Sequence, residues 1–483
     1  MGIKEFADGA RNVWKAISVF PDPEDLYGGR KEYFDSIRQR TEYRLGEQDR
    51  QLKVKFGKPD DNVRSNLIGK VVNQSVYLLL SKGVLFDLPG DDSKEQKWLD
   101  ACWEANQKDI ILKKMAINSA DAGTGYVKIV PDGVFGTLEG KEKLFPRIVN
   151  LDPKHMEMIT HPEDFEQVIT YIIEYDTKDL EGKPMKRREE TTHIGEQRDA
   201  TGKVVDEGGY WEVTNYVKPY NENWKQMGVP VKWEQDFPPI IHWQNLPAPN
   251  TVYGEPEASD SLLELQDRRN FNASNINKII RFHAHPKTYT VNLAIPKRKD
   301  GGSSMDTDQI TQFVGENGKV ANLEMQSDLA AAIQFYDLLG KQIFDQTSTV
   351  DVSNLKDKLG QLTNFSVRVL FQEALWKMDM KRELFGHMLR RLNRRLLIIG
   401  DQKNTDVGVI IWPDVVLPTD ESERIVVQEF EMNKGLVSPQ TVSVERNRDF
   451  KLEQERIKKA KGSLETIENE SNQTEGQSKG QEG

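Results

Sequence analysis

The sequence predicts an α+β fold, and three observations carry that expectation: amphipathic helices at the start, a middle run of β-branched and aromatic segments cut by Pro, Gly and Asp, and a return to helix that includes one continuous stretch from 364 to 400. At 483 residues the chain exceeds the length at which a single core keeps growing, so about three domain-sized units are expected. With 30% charged and 37% hydrophobic residues the composition is globular. No apolar run approaches the roughly 18 residues of a membrane span, and a soluble protein is expected.

Taken in order, "MGIKEFADGARNVWKAISVF" carries acids and no sustained apolar core, so it does not read as a signal peptide, and Phe6 spoils the myristoylation pattern. Residues 30–47 and 66–88 read as helices, the second ending near Gly83 and passing into a short strand. Residues 95–120 give another amphipathic helix, with Trp98, Cys102, Ile110, Leu112 and Met115 as core. The period then changes: "TGYVKIVPDG", "LFPRIVNLD" and "QVITYIIEYD" are strands, followed by hairpin-like pieces around Gly202, Gly208 and Gly228. A Pro/Gly turn leads into a helix over 258–282, whose cap is Ser259, Asp260 or Ser261, the last making a capping box with Glu264. Residues 284–326 return to strand and loop, including the basic "PKRKDGGSSMD". A second helix has Leu329, Ile333, Tyr336 and Ile343 on one side, and a Lys-containing loop, "DVSNLKDKLGQLT", follows.

In the long helix, Phe371, Leu375, Met378, Phe385, Leu389, Leu392, Leu396 and Ile399 recur in steps of four and three, with Arg382 in the one missing place, which makes a packed seam. The same stretch holds eight Lys and Arg against three Asp and Glu in a chain whose net charge is −11. Arg390, Arg391, Arg394 and Arg395 fall opposite the seam and toward the helix end, where cations complement the dipole. A strand in "VGVIIWPDVVLP" and two helical segments come next, and the last twenty or so residues lack the apolar content to fold.

Chemistry is looked for and not found. The nearest thing to a phosphate-binding loop, Gly136, Gly140 and Lys141, has its first glycine one residue too close and Glu142 where Ser or Thr belongs. His283 and His285 lack a Cys or carboxylate at ligand spacing. Cys102 stands alone, which excludes an intrachain disulfide and fits a reducing compartment. No catalytic residue, metal or cofactor is expected. The acid balance argues against a protein that grips duplex DNA, since that affinity comes from Lys and Arg displacing counterions, but not against one that lets DNA slide.

The order of these pieces resembles the portal protein, or head-to-tail connector, of tailed bacteriophages, in its siphophage type. The resemblance rests on "NLIGKVVNQSVYLLLSKGVLF", "INSADAGTGYVKIVPDG", "FPPIIHWQNLPAPNTVYGEPEASDSLLELQDRRN", "LGQLTNFSVRVLFQEALWKMDMKRELFGHMLRRLNRRLL" and "NKGLVSPQTVSVERNRDF", and covers roughly residues 30–460. It implies a wing at 1–256, stem helices at 257–283 and 327–349, a small α/β clip at 284–326 and a tunnel loop at 350–363. A long helix and strand return to the wing at 364–418, a helical crown occupies 419–462, and 463–483 is a disordered tail.

The resemblance further implies a homo-oligomeric ring of about a dozen subunits at one capsid vertex, assembled in the host cytoplasm. Double-stranded genomic DNA enters and leaves through its axis. Its partners would be the terminase packaging motor, head-completion and tail adaptor proteins, and major capsid and scaffold proteins, with no membrane. A dozen helices set about 10 Å apart have axes on a circle about 38 Å across and leave a bore of about 28 Å, enough for a hydrated duplex. In these terms Lys356, Lys358 and Gly360 belong to the DNA-facing loop, Lys297, Arg298 and Lys299 to motor docking, and Phe371, Leu375, Met378, Phe385, Leu389, Leu392 and Leu396 to subunit packing. The basic residues at 381–395 would then serve packing and acidic neighbours. A non-portal virion structural or adaptor protein and a nucleic-acid enzyme are the competing readings.

Overall fold

The computed structural model describes residues 30–54, 60–80, 83–90, 93–179, 181–195, 197–198, 204–206, 208–220, 222–284, 288–292, 317–322, 329–351, 364–412, 421–445, 450 and 452–458. They form an α+β protein. The helices are α1 (Arg30–Leu45), α2 (Leu67–Leu80), α3 (Lys94–Ala105), α4 (Lys108–Ala122), α5 (Asp260–Ala284), α6 (Leu329–Gln346), α7 (Asn364–Ile399), α8 (Glu421–Asn433) and α9 (Pro439–Glu445). The strands are β1 (Leu85–Asp87), β2 (Thr124–Leu138), β3 (Lys141–Leu151), β4 (Met156–His161), β5 (Asp164–Lys178), β6 (Pro184–Ile194), β7 (Gln197–Arg198), β8 (Val204–Asp206), β9 (Tyr210–Pro219), β10 (Lys225–Lys232), β11 (Ile240–Gln244), β12 (Thr288–Val291), β13 (Lys319–Asn322) and β14 (Val409–Ile411). Among the described residues no helix is long and apolar enough to cross a membrane.

Two compact units are discontinuous in sequence. One takes residues up to Val76, Lys113–Gly133 and Pro146–Asp351; the other takes Tyr77–Leu112, Val134–Phe145 and the chain from 352 onward. The first is built on a five-stranded sheet ordered β10-β9-β6-β5-β4. All four of its neighbouring pairs are antiparallel, as short hairpin connections require. Its core gathers Tyr126, Met156, Met158, Tyr171, Trp211, Ile240 and Tyr253, the β-branched and aromatic positions that marked these segments as strands. A second cluster in the same unit joins Tyr43, Ile68, Val71, Ala258, Leu262, Leu263, Ile343 and Phe344, which seats α5 and α6 on α1 and α2. β12 and β13 pair as a two-stranded antiparallel sheet between α5 and α6 in chain order.

In the second unit β1 pairs antiparallel with β14, joining segments more than 300 residues apart, Leu85 opposite Ile411. Residues 95–120 are not the single helix the periodicity suggests. Asn106 caps α3, its backbone N–H donating to Cys102, and Gln107 takes a left-handed conformation with φ 55°, so α4 starts in a new direction. The break carries Lys108 over the Phe86 ring, 4.3 Å from its centroid. Gly136 lies within β2, packed on Phe145, and Gly140 lies at the β2–β3 hairpin turn, where Glu139 and Gly140 both have positive φ, so the two do not form a phosphate loop.

Candidate functional site

The candidate interaction surfaces lie on the α5–α6 hairpin and on the long helix α7. Ser259 begins α5: its carbonyl accepts from the backbone of Leu262 and Leu263, which decides among the three caps the sequence allows. The base of the hairpin is fixed by polar groups. Gln266 donates to the Ser65 carbonyl at 2.8 Å, Ser65 N–H donates to Asn270 Oδ1 at 3.0 Å, and Val63 N–H donates to Ser274 Oγ at 2.9 Å. Two turns further, Arg281 pairs with Asp61 at 2.7 Å. The spacing 266, 270, 274, 277, 281 is one stripe of a helix, so the extended segment at 61–65 lies along α5 and exchanges hydrogen bonds with it turn by turn.

Arg269 ties the two helices together. Its guanidinium donates to Ser65 Oγ at 2.5 Å and lies 3.8 Å from the centroid of the Tyr336 ring on α6. It passes α6 at Gly340, where an added Cβ would stand 3.2 Å from Arg269 Nε. A glycine inside a helix costs about 1 kcal/mol relative to Ala, and here it leaves the room through which Arg269 reaches. Arg269 was not singled out from the sequence; the one signal was the unexplained glycine opposite it. At the end of α6, Lys70 holds Asp351 at 3.0 Å and lies over the Phe344 ring.

Between these fixed points and along α6 the hairpin leaves apolar side chains bare. Phe271, Ile280, Ile333, Phe335 and Leu338 are all exposed, Phe335 by 50%. Ile333, expected to share a packing side with Ile343, is open while Ile343 is fully buried. The difference has a physical cause: Ile343 joins the cluster that α1 and α2 close with Tyr43, Ile68 and Val71, whereas Ile333 lies outside that cluster although Asn272 of α5 bonds the neighbouring Ala332 carbonyl at 2.9 Å.

In α7 the seam exists and is covered within one chain. Phe385, Leu389, Leu392 and Leu396 are buried, the last three completely, Phe371 and Met378 nearly so, and Leu375 is half-buried. Trp103 Nε1 on α3 donates to Asn393 at 2.8 Å, and Gly400 lets the Trp98 ring lie against the helix end, where a Cβ would come within 2.2 Å of it. Phe385 meets Trp412 edge-on, and Arg382 rests over the same ring. Two basic residues depart from expectation. Arg395, read as outward-facing, is buried, and so is Lys381, because helix rotation brings both beside the seam. The cations also fail to reach the helix end: the last turn of α7 has no basic residue.

The opposite face of α7 divides in two. Val369, Leu370, Trp376 and Met380 are exposed in the amino half, Trp376 by 63%. His387, Arg390 and Arg394 are exposed in the carboxyl half, with Arg391 half-exposed. Their steps of three and four were readable from the sequence by the same rule that found the seam. Burial, then the neighbouring Arg391 and Arg390, hold the His387 imidazole below the ordinary histidine range. Burial pushes the Cys102 thiol up to about 12, which removes it as a nucleophile at neutral pH. Among the described residues no group of His, Cys, Asp or Glu is spaced to hold a metal ion. Lys297, Arg298, Lys299, Lys356, Lys358 and Gly360 lie outside the described residues.

A search of curated proteins finds no match. A family model described as phage portal protein, SPP1 Gp6-like, matches residues 24–466 of the 483. Coverage of nearly the whole chain, together with the α+β unit, the paired helices flanking a small sheet and the long helix, fixes its membership: the chain belongs to the SPP1 Gp6-like family of phage portal proteins.

Proposed function

We propose that the chain assembles into a ring of about a dozen copies at one capsid vertex, through whose axis genomic duplex DNA is packaged and later ejected. The observation that carries the assembly is the α5–α6 hairpin. Its exposed Phe271, Ile280, Ile333, Phe335 and Leu338, spread over more than one face of the pair, are apolar groups that neighbouring copies on either side would bury, and Val369, Leu370, Trp376 and Met380 on α7 offer further ones. The seam residues proposed for subunit packing are already covered in one chain, so their part in assembly is to hold α7 rigid while its outer face meets the neighbour.

In this reading residues 1–256 form the wing, 257–283 and 327–349 the stem, 284–326 the clip, 350–363 the tunnel loop, 364–418 the return to the wing and 419–462 the crown. The α+β fold and the β12–β13 pair support this division. Lys356 and Lys358 would touch passing phosphates singly, through contacts that salt screens, and Lys297, Arg298 and Lys299 would dock an acidic surface of the packaging motor or tail adaptor. The family's role is structural rather than catalytic. Negative-stain imaging and native mass measurement of the purified protein test the ring, and monomers across all salt and protein concentrations would reject it. In a packaging assay, Lys356→Glu with Lys358→Glu should leave rings and motor binding normal while impairing translocation or retention of DNA.

A further inference from the structure

We infer that His387, Arg390, Arg391 and Arg394 form a phosphate-contact surface for duplex DNA, separate from the loop at 350–363. The inference rests on the portal reading and adds a second DNA surface to it. The four residues fall at i, i+3, i+4 and i+7 of α7, on one face, spanning about 10 Å of helix axis.

Three observations set this row apart from a solvated helix face. Several arginines elsewhere in the molecule are matched within the chain: Arg40 to Asp260, Arg44 to Asp121, Arg188 to Glu174 and Arg281 to Asp61. Among the described residues none of Arg390, Arg391 and Arg394 has such a partner, and no Asp or Glu occurs between Glu383 and Asp401. The helix dipole does not account for them either, because its effect fades within the last turn and that turn carries no base. Finally, Arg391 and Arg390 lie within electrostatic reach of the His387 ring, whose imidazole is lowered first by burial and then by these two guanidinium groups.

The choice between DNA and an acidic protein turns on what surrounds the row. Stable protein interfaces centre on buried aromatic or aliphatic anchors with charges at the rim. On α7 the exposed large apolar side chains end at Met380, and none stands beside the arginines. A phosphate backbone needs no such anchor: it rewards an uninterrupted line of cations, and each strand presents a phosphate about every 3.4 Å of duplex axis, so the row faces about three of them. Guanidinium groups suit phosphate oxygens geometrically.

The test uses the full-length assembled protein and a short random-sequence DNA duplex, with binding followed by fluorescence anisotropy across a salt series. Arg390→Gln, Arg391→Gln and Arg394→Gln together should lower the slope of log affinity against log salt by about 2 to 3 per engaged chain. Each single change should lower it by about 1, which keeps the inference testable if the triple variant folds poorly. The three Arg→Lys changes should restore the slope. Lys356→Gln with Lys358→Gln should leave the contribution of the row in place. Unchanged slopes in the Gln variants, or no DNA binding by wild-type rings, overturn the inference; loss of rings in the Gln variants without any effect on DNA binding would make the row an acidic-protein contact instead. Absence of rings in the wild-type protein would reject the portal assembly itself and is seen independently of DNA.

Discussion

In the carboxyl half of α7, Phe385, Leu389, Leu392 and Leu396 are buried by α7's own unit, whereas the α5–α6 hairpin leaves Phe271, Ile280, Ile333, Phe335 and Leu338 in the open. Both segments are helical and carry apolar side chains at helical spacing. What differs is the cover. Apolar area covered within the chain stabilises the chain at about 25 cal/mol per Å², while bare area contributes nothing until another surface meets it. Scattered exposed apolar residues are ordinary, but five on one helical pair, beside a base tightly fixed by Ser65, Asn270 and Arg269, describe a rigid element presented for association. The same contrast runs through α7 itself, whose inner face is complete and whose outer face is apolar at one end and cationic at the other.

The comparison breaks most sharply at the covered seam. Leu392→Ala should destabilise the chain by about 2 to 5 kcal/mol, since its fully buried side chain has neighbours that relax only partly. Denaturant unfolding under dissociating conditions measures it, and a loss under about 1 kcal/mol would mean the seam is not finished within one chain. Next comes the bare surface. Phe335→Glu with Leu338→Glu should leave chain stability within about 0.5 kcal/mol of wild type, yet shift native mass spectra from rings to smaller species. Rings of undiminished stability would show that the hairpin's apolar face is not what assembles.

Smaller effects sharpen the picture of the hairpin base. Arg269→Met should cost about 1 to 3 kcal/mol by leaving Ser65 and Tyr336 without their shared partner. Helix propensity alone makes Gly340→Ala a gain of about 1 kcal/mol. The structure predicts that the gain is absent or reversed, because the new Cβ would press on an Arg269 held at both ends. A thermal melt raised by several degrees would show that Arg269 yields easily. The smallest effect is expected from removing residues 464–483, whose composition cannot bury enough apolar area to support a contact; ring mass should fall only by the deleted residues.

The sequence by itself determined the α+β class, the places where period 3.6 gives way to period 2, the seam of α7 and, through the ordered series of segments, the family. Those features are local: a helix's spacing states which residues share a face whatever surrounds it. Only the tertiary structure decided what covers each face. Spacing put Ile333 with Ile343, but Tyr43, Ile68 and Val71 of α1 and α2 cover one and not the other. It set Arg395 outward, although the residue lies close enough to the seam to be buried. It ran one helix through Asn106, which instead caps α3, with Gln107 left-handed after it. Helix propensity alone makes Gly340 a defect in α6, and the arginine that needs the space is 71 positions earlier in the chain. Burial, pairing and clearance depend on groups brought together from distant parts of the sequence, and no local period records which groups those are.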